Sequence, residues 1–193
     1  MAGHVRYTAL LDACVLYPIP IADALMSLAA GGLFAAKWTT RIEDEWIHAL
    51  LEDRPELTGK LDTRRNAMRE AAPDWEVPER AWQALVPCLQ LPDHNDNHVL
   101  AAAIAGHADC IVTSNLKDFP QDQVASHGID VIDPDTFIIN QWDLDQIVAI
   151  TALKQMRARR KKPETSPEDF ARVFDRCRLP MTAQRIRDAA ALI

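Results

Sequence analysis

The stretch LPDHNDNHVLAAA, Leu91 to Ala103, sets two aspartates and two histidines directly in front of an alanine-rich apolar run. Asp96 reads as the N-cap of a helix that begins there, since a short side-chain oxygen can accept from the first free N–H groups. Continued backwards, the helical angle puts Asp96 in line with Val99, Leu100 and Ala103, at the end of the face that will be buried. Asp93 stands one loop turn earlier. His98 falls on a flank of the helix, as a packing or hydrogen-bonding residue, and His94 faces solvent. Capping accounts for one carboxylate of this group and leaves the others without a local task.

Further acids stand at comparable places. Asp12 follows the apolar run YTALL, where a turn or cap is its simplest use. In TTRIEDEW, Thr40 and Glu43 fit the S/T-x-x-E capping box, which gives Glu43 a structural role. Glu45 has none so plain. It lies beside Ala49 and about 60° from Ile42 on the helical wheel, at the edge of the buried stripe, where a carboxylate must reach water or a cation. Beyond the run DCIV come Thr113, Ser114, Asn115 and Asp118. Asn and Asp in such a loop are ordinarily turn residues. Taken together, clustered carboxylates raise one another's pKa unless a cation neutralises them. Hard oxygen donors select Mg²⁺ or Mn²⁺, and Mg²⁺ held by acids is the usual equipment for phosphoryl chemistry.

The elements that must position these residues alternate in type. Tyr7–Leu11 reads as a buried parallel strand, followed by a helix over Ile21–Ala30 that stops at Gly31-Gly32. LFAAKW is a short strand. TTRIEDEWIHALLED is a helix with Ile42, Trp46, Ala49 and Leu50 on one face. Helices follow over Pro55–Ala71, Pro78–Leu85 and Asp96–Ala105. DCIVTSN and IDVID are further strands. From Asp143 onward the pattern is helical: Asp143–Arg160, Ser166–Cys177 and Thr182–Ala191. This predicts an α/β fold, a parallel sheet flanked by helices with a C-terminal helical extension. Its domains are 1–142 and a basic extension, 143–193. Sites in open α/β sheets lie beyond the carboxyl ends of the strands, the edge on which Asp12, Asn115 and Asp118 fall.

Charge is unevenly spread. Residues 1–150 carry 10 basic and 23 acidic side chains, whereas 151–193 carry 11 basic and 5 acidic. An acidic body suits a nucleic-acid binder only where carboxylates hold metal ions. Arg157, Arg159, Arg160, Lys161 and Lys162 are the candidates for phosphate contact, against a solvated corner as the plainer reading. The four cysteines form no CxxC, which suits a reduced, cytoplasmic protein. No apolar run reaches the roughly 20 residues of a membrane span.

LLDACVLY, TTRIEDEW and LPDHNDNHVLAAAIAGHADCIVTSNLKDFP resemble the signature segments of PIN domains, nearest the group related to VapC-type toxins of toxin–antitoxin pairs. The resemblance continues through IDVIDPDTFI and, more loosely, the tail. It implies an Mg²⁺-dependent ribonuclease, with Mn²⁺ as a substitute ion, that hydrolyses RNA phosphodiesters. Asp12, Glu45 and Asp96 take the places of the first three metal-binding acids. The fourth place, often Asp, is Asn115 here, and Asp118 is the acid that can stand in for it. Thr113, Ser114 and Asp93 are auxiliary. An antitoxin protein and a homodimer are the implied partners. A non-catalytic PIN-like module that binds RNA or protein, a DNA nuclease and a metal-dependent phosphatase are the rival readings. DACVLY lacks the D-x-D of aspartyl phosphatases.

Overall fold

The computed structural model describes residues 6–160 and 165–193. Four short strands form one sheet: β1 (Thr8–Leu11), β2 (Ala35–Lys37), β3 (Cys110–Val112) and β4 (Asp130–Ile132), in the order β2-β1-β3-β4. All pairs are parallel. Ala9 stands opposite both Ala36 and Cys110, and Ile111 opposite Val131. The two central strands are apolar because both of their faces are covered; Leu10, Leu11, Ile111 and Val112 are inaccessible to solvent.

The helices are α1 (Ala13–Leu16), α2 (Ile19–Ala30), α3 (Thr40–Asp53), α4 (Asp62–Ala71), α5 (Glu79–Trp82), α6 (Asn97–Ala105), α7 (Gln121–Val124), α8 (Pro134–Leu144), α9 (Gln146–Ala158), α10 (Pro167–Arg176) and α11 (Pro180–Asp188). The α6 helix, buried from Asn97 through Ala103, packs on β1 and β3, and small alanines let it approach closely. α2 meets α4, α8 and α9. Phe34, at the entry to β2, meets Phe137 of α8 edge-on at 4.8 Å. The parallel α/β architecture flanked by helices is as the sequence predicts. Among the described residues no helix is long and apolar enough to cross a membrane.

The boundaries differ in instructive ways. The helix expected over Pro55–Ala71 breaks at Gly59, whose φ of +74° is left-handed, and resumes at Asp62. The one expected over Pro78–Leu85 ends at Trp82 and continues as a 3₁₀ turn to Cys88, because Pro87 has no N–H for the carbonyl four residues back. The single helix expected from Asp143 to Arg160 is two. Asp145 is extended and caps α9 by accepting from the Val148 N–H at 3.0 Å. α8 was not foreseen. Asp133 starts it, accepting from the N–H groups of Asp135 and Thr136 at 3.0 Å each, with Pro134 at the first position. The boundary drawn between residues 142 and 143 thus lies inside α8.

The C-terminal helices are held by a buried acid. Asp135, 5% exposed, accepts from the backbone N–H of Met181 at 2.9 Å and of Thr182 at 2.8 Å, and from the Thr182 hydroxyl at 2.7 Å. These are free donors of the first turn of α11, where a negative charge is favoured.

Candidate functional site

Asp12 leaves β1 directly and caps α1. Its Oδ1 accepts from the Ala13 N–H at 2.6 Å. Its Oδ2 accepts from the Thr113 hydroxyl at 2.7 Å and from the Cys14 thiol at 3.0 Å. Thr113 stands just past the end of β3, so two adjacent parallel strands deliver the donor and the acceptor to the same edge of the sheet. Asp12 is 8% exposed and fixed at both oxygens. The Cys14 thiol also accepts from the Ser114 N–H at 3.2 Å. Burial, and next the Asp12 carboxylate, push Cys14 up to about 12, so it stays a thiol and serves as a donor. Sequence reasoning missed Cys14; its position two residues after a cap was the available signal.

Asp96 is not the cap expected. Its backbone is helical, with φ −86° and ψ −6°, and its carboxylate makes no capping bond. Asp93 performs that task, accepting from the Asn95 N–H at 2.8 Å and opening a 3₁₀ turn over His94–Asp96. Asn97 then ties the approach to α6, accepting from the Leu91 N–H at 3.0 Å and donating to the Leu89 carbonyl at 2.9 Å. Asp96 is therefore left free and half-buried. Its carboxyl is pushed up to about 6, first by burial and then by the neighbouring charges of Asp12, Asp93 and Asp118, with His98 acting the other way. These acids share one field, in which each ionised neighbour disfavours the charge on Asp96.

The two glutamates of α3 separate cleanly. Thr39, not Thr40, caps the helix, accepting from the Ile42 N–H at 3.0 Å. Glu43 is therefore no capping-box partner. It is 2% exposed, accepts from Trp38 Nε1 at 3.0 Å and is gripped by Arg69 through both Nε and Nη2. Arg69 lies 4.6 Å over the Trp75 ring, and Trp75 stacks on Trp38. Glu45, 37% exposed at its side chain, has His98 Nε2 at 2.9 Å and Arg41 Nε at 3.2 Å. Both contacts fall on Oε1 and neither uses Oε2. His98, the partner of Glu45, also acts on the charge of Asp96.

Beyond β3, Asn115 donates through Nδ2 to Asp118, and its own N–H bonds the Thr113 hydroxyl at 3.0 Å. Phe119, 1% exposed, anchors that turn. Asp118, held by Asn115, is among the charges that raise Asp96. Ser114 is exposed, and only its backbone takes part.

The basic cluster has other partners. Arg157 donates to the Thr165 carbonyl at 2.5 Å, Arg159 to Asp23 at 2.5 Å and Ser27 at 2.9 Å, and Arg160 lies 5.5 Å over the Phe170 ring. None of these contacts is with Asp12, Glu45, Asp96 or Asp118; Lys161 and Lys162 lie outside the described residues.

Among the described residues no three His, Cys, Asp or Glu side chains form a ready-made metal cage. The donors are nonetheless all hard oxygens around a half-buried group with excess negative charge. That chemistry fits an Mg²⁺-sized ion that keeps several waters.

A family model described as "PIN domain" matches residues 8–117, more than half of the chain. The chain belongs to the PIN-domain family. The matched segment of this PIN domain runs from β1 through Lys117 and so contains Asp12, Glu45, Asp96 and Asn115, with Asp118 one residue beyond. A second model, "VapC50 C-terminal domain", matches residues 134–188, the span of α8 to α11. The chain is also similar to a Mycobacterium tuberculosis (strain ATCC 25618 / H37Rv) protein described as "Putative ribonuclease VapC50". They are 47% identical over 51 residues, 26% of this chain and 30% of that protein. The similar stretch thus spans less than a third of that relative. No solved structure matches.

Proposed function

We propose that this PIN domain is a divalent-metal-dependent endoribonuclease, the toxin of a toxin–antitoxin pair, that hydrolyses RNA phosphodiester bonds. The observation that carries it is the convergence of Asp12, Asp96 and Asp118, with Glu45 joined through His98, from four separate segments. The PIN-domain match over Asp12, Glu45 and Asp96 and the ribonuclease description of the partial relative support the same reading.

Asp12, Asp96 and Glu45 would hold Mg²⁺ or Mn²⁺, with Asp118 assisting. When bound, the cation supplies positive charge that attracts the phosphate and offsets charge developing on the leaving oxygen. The chain's own groups orient the site. Thr113 and Cys14 stop the Asp12 carboxylate from swinging. Asn115, neutral where the family often has an acid, holds Asp118 by a hydrogen bond. His98 and Arg41 take one Glu45 oxygen and leave Oε2 open toward a ligand.

An antitoxin partner, a homodimer and a cytoplasmic setting belong to the same proposal. An open groove of about 340 Å³ between α2 and α4, lined by Ile19, Ala22, Met26, Ala67 and Met68, offers apolar surface to a partner. Four free cysteines suit a reducing compartment.

The full chain is incubated with end-labelled single-stranded RNA, structured RNA and DNA, with Mg²⁺, with Mn²⁺ and with chelator, beside Asp96→Asn. Cation-dependent RNA cleavage, lost in the variant, is the expected result. Cation binding without cleavage would make this a binding module instead. Cleavage of DNA alone would make it a deoxyribonuclease.

A further inference from the structure

His98 is 2% exposed, yet it is the nearest neighbour of a half-exposed acid of the site. Its ring packs at 6.1 Å from that of Trp82, which is itself 3% exposed. Nδ1 is buried with no partner, whereas Nε2 lies 2.9 Å from Glu45 Oε1. A buried nitrogen without a partner costs least as a bare lone pair, because a buried N–H left unmade forfeits a stronger bond to water. That places the ring proton on Nε2, facing the carboxylate. The imidazole is walled in by α5 and α6 and has one polar outlet.

We propose that His98 is a positioning residue, which holds Glu45 through Nε2–H so that Glu45 Oε2 faces the carboxylate pocket. This deepens the proposed function and rests on it for its catalytic meaning. The arrangement accounts for an otherwise costly feature, a histidine locked in an apolar wall with one nitrogen orphaned. Arg41, the other partner of Oε1, is 46% exposed at its side chain and its exposed ion pair constrains little. Without His98, Glu45 sits at the rim of α3 with only that pair to direct it. His98 itself, sealed behind Glu45 and Trp82, is out of reach of a substrate.

Two variants separate positioning from packing. His98→Gln keeps an N–H donor close to the place of Nε2; His98→Leu fills similar space with no donor. Groups that orient a metal ligand are worth about 10–100-fold in metal affinity or activity. We expect His98→Leu to weaken Mn²⁺ binding, measured by calorimetry, and RNA cleavage by about tenfold or more, and His98→Gln to recover most of both. On the Glu45→Ala background, His98→Leu should add nothing further, because its partner is already lost. Full additivity, or equal loss in His98→Gln and His98→Leu, would overturn the proposal.

One measurement depends on neither metal nor cleavage. In the metal-free protein, imidazole nitrogen NMR should show His98 protonated at Nε2, with a slowly exchanging proton that becomes fast in Glu45→Ala and stays slow in Asp96→Asn. A ring protonated at Nδ1, or an exchange rate indifferent to Glu45, would also overturn it. Absence of cleavage by the wild-type chain, with this signature intact, would fault the nuclease reading alone.

Discussion

Glu43 and Glu45 stand two residues apart on α3, and exchanging each for glutamine should produce opposite phenotypes. Glu43→Gln removes the charge that Arg69 and Trp38 both use inside a wall of tryptophans. A hydrogen bond to a charged group contributes about 1.5–3 kcal/mol. Arg69 keeps 34% exposure at its side chain, so water recovers part of the loss, and about 2 kcal/mol is the expected cost. With unfolding entropy near 2.1 cal/mol/K per residue, a chain of this length should lose about 5 °C in Tm. Activity per folded molecule at 25 °C should stay close to wild type. Glu45→Gln removes the charge of a side chain with more than a third of its surface in solvent, whose ion pairs contribute under about 1 kcal/mol. Its Tm should move by no more than about 2 °C. Its cation-dependent cleavage should fall by about 10²-fold or more, the usual loss for a charge acting directly on the reaction. Calorimetric melting and initial cleavage rates, on the same preparations, give both numbers. A melted Glu45→Gln beside an inactive but stable Glu43→Gln would refute the division of roles.

Asp96→Asn should abolish cleavage and yet raise the Tm at pH 7.5 without divalent ions. Asp96 titrates near 6 in the folded chain, above its unfolded value near 4, so its ionised form weakens the fold progressively from pH 4 to 6; the gain should therefore vanish in melts at pH 4. Mn²⁺ should stabilise the wild type at pH 7.5 more than at pH 5, where a proton competes for Asp96, and should barely affect Asp96→Asn. Asp135→Asn should cost about 2 kcal/mol or more in urea unfolding, because in either orientation an amide N–H₂ would face one of the two N–H groups, that of Met181 or that of Thr182; unchanged stability would remove Asp135 as the anchor of α11. Asn115→Asp should set a second carboxylate against Asp118, lowering the metal-free Tm and tightening Mn²⁺ by about fivefold or more through the added ligand charge; identical calorimetric titrations would show that residue 115 faces elsewhere.

The sheet and most of its helices were readable because apolar runs and glycine stops are local signals. Asp12, Asp96 and Asp118 were recognisable as acids at element ends, and Asp96 as lying on the buried side of its helix. What the sequence hid depended on contacts between distant segments. Thr39 and Thr40 are equally plausible caps until the entry angle of α3 is known. Nothing local tells that Arg69, twenty-six residues on, will claim Glu43. Asp93 and Asp96 compete for one capping task, and a 3₁₀ turn decided it. The contacts of Arg159 with Asp23 and Ser27, more than 130 residues away in the chain, cannot be read from the basic run itself.

The bond between Thr113 and Asp12 joins residues 101 apart. During synthesis at 5–20 residues per second, Asp12 leaves the ribosome about 5–20 s before Thr113 does. Throughout that interval β1 lacks its central neighbour, and Asp96 has not yet been brought beside it. Parallel pairing of this kind closes late, because a long loop must be ordered before the strands reward it. The carboxylate pocket is therefore one of the last features of this segment to exist. A nascent chain stalled between Asp96 and β3 therefore carries Asp12, Glu45 and Asp96 and still has no assembled pocket.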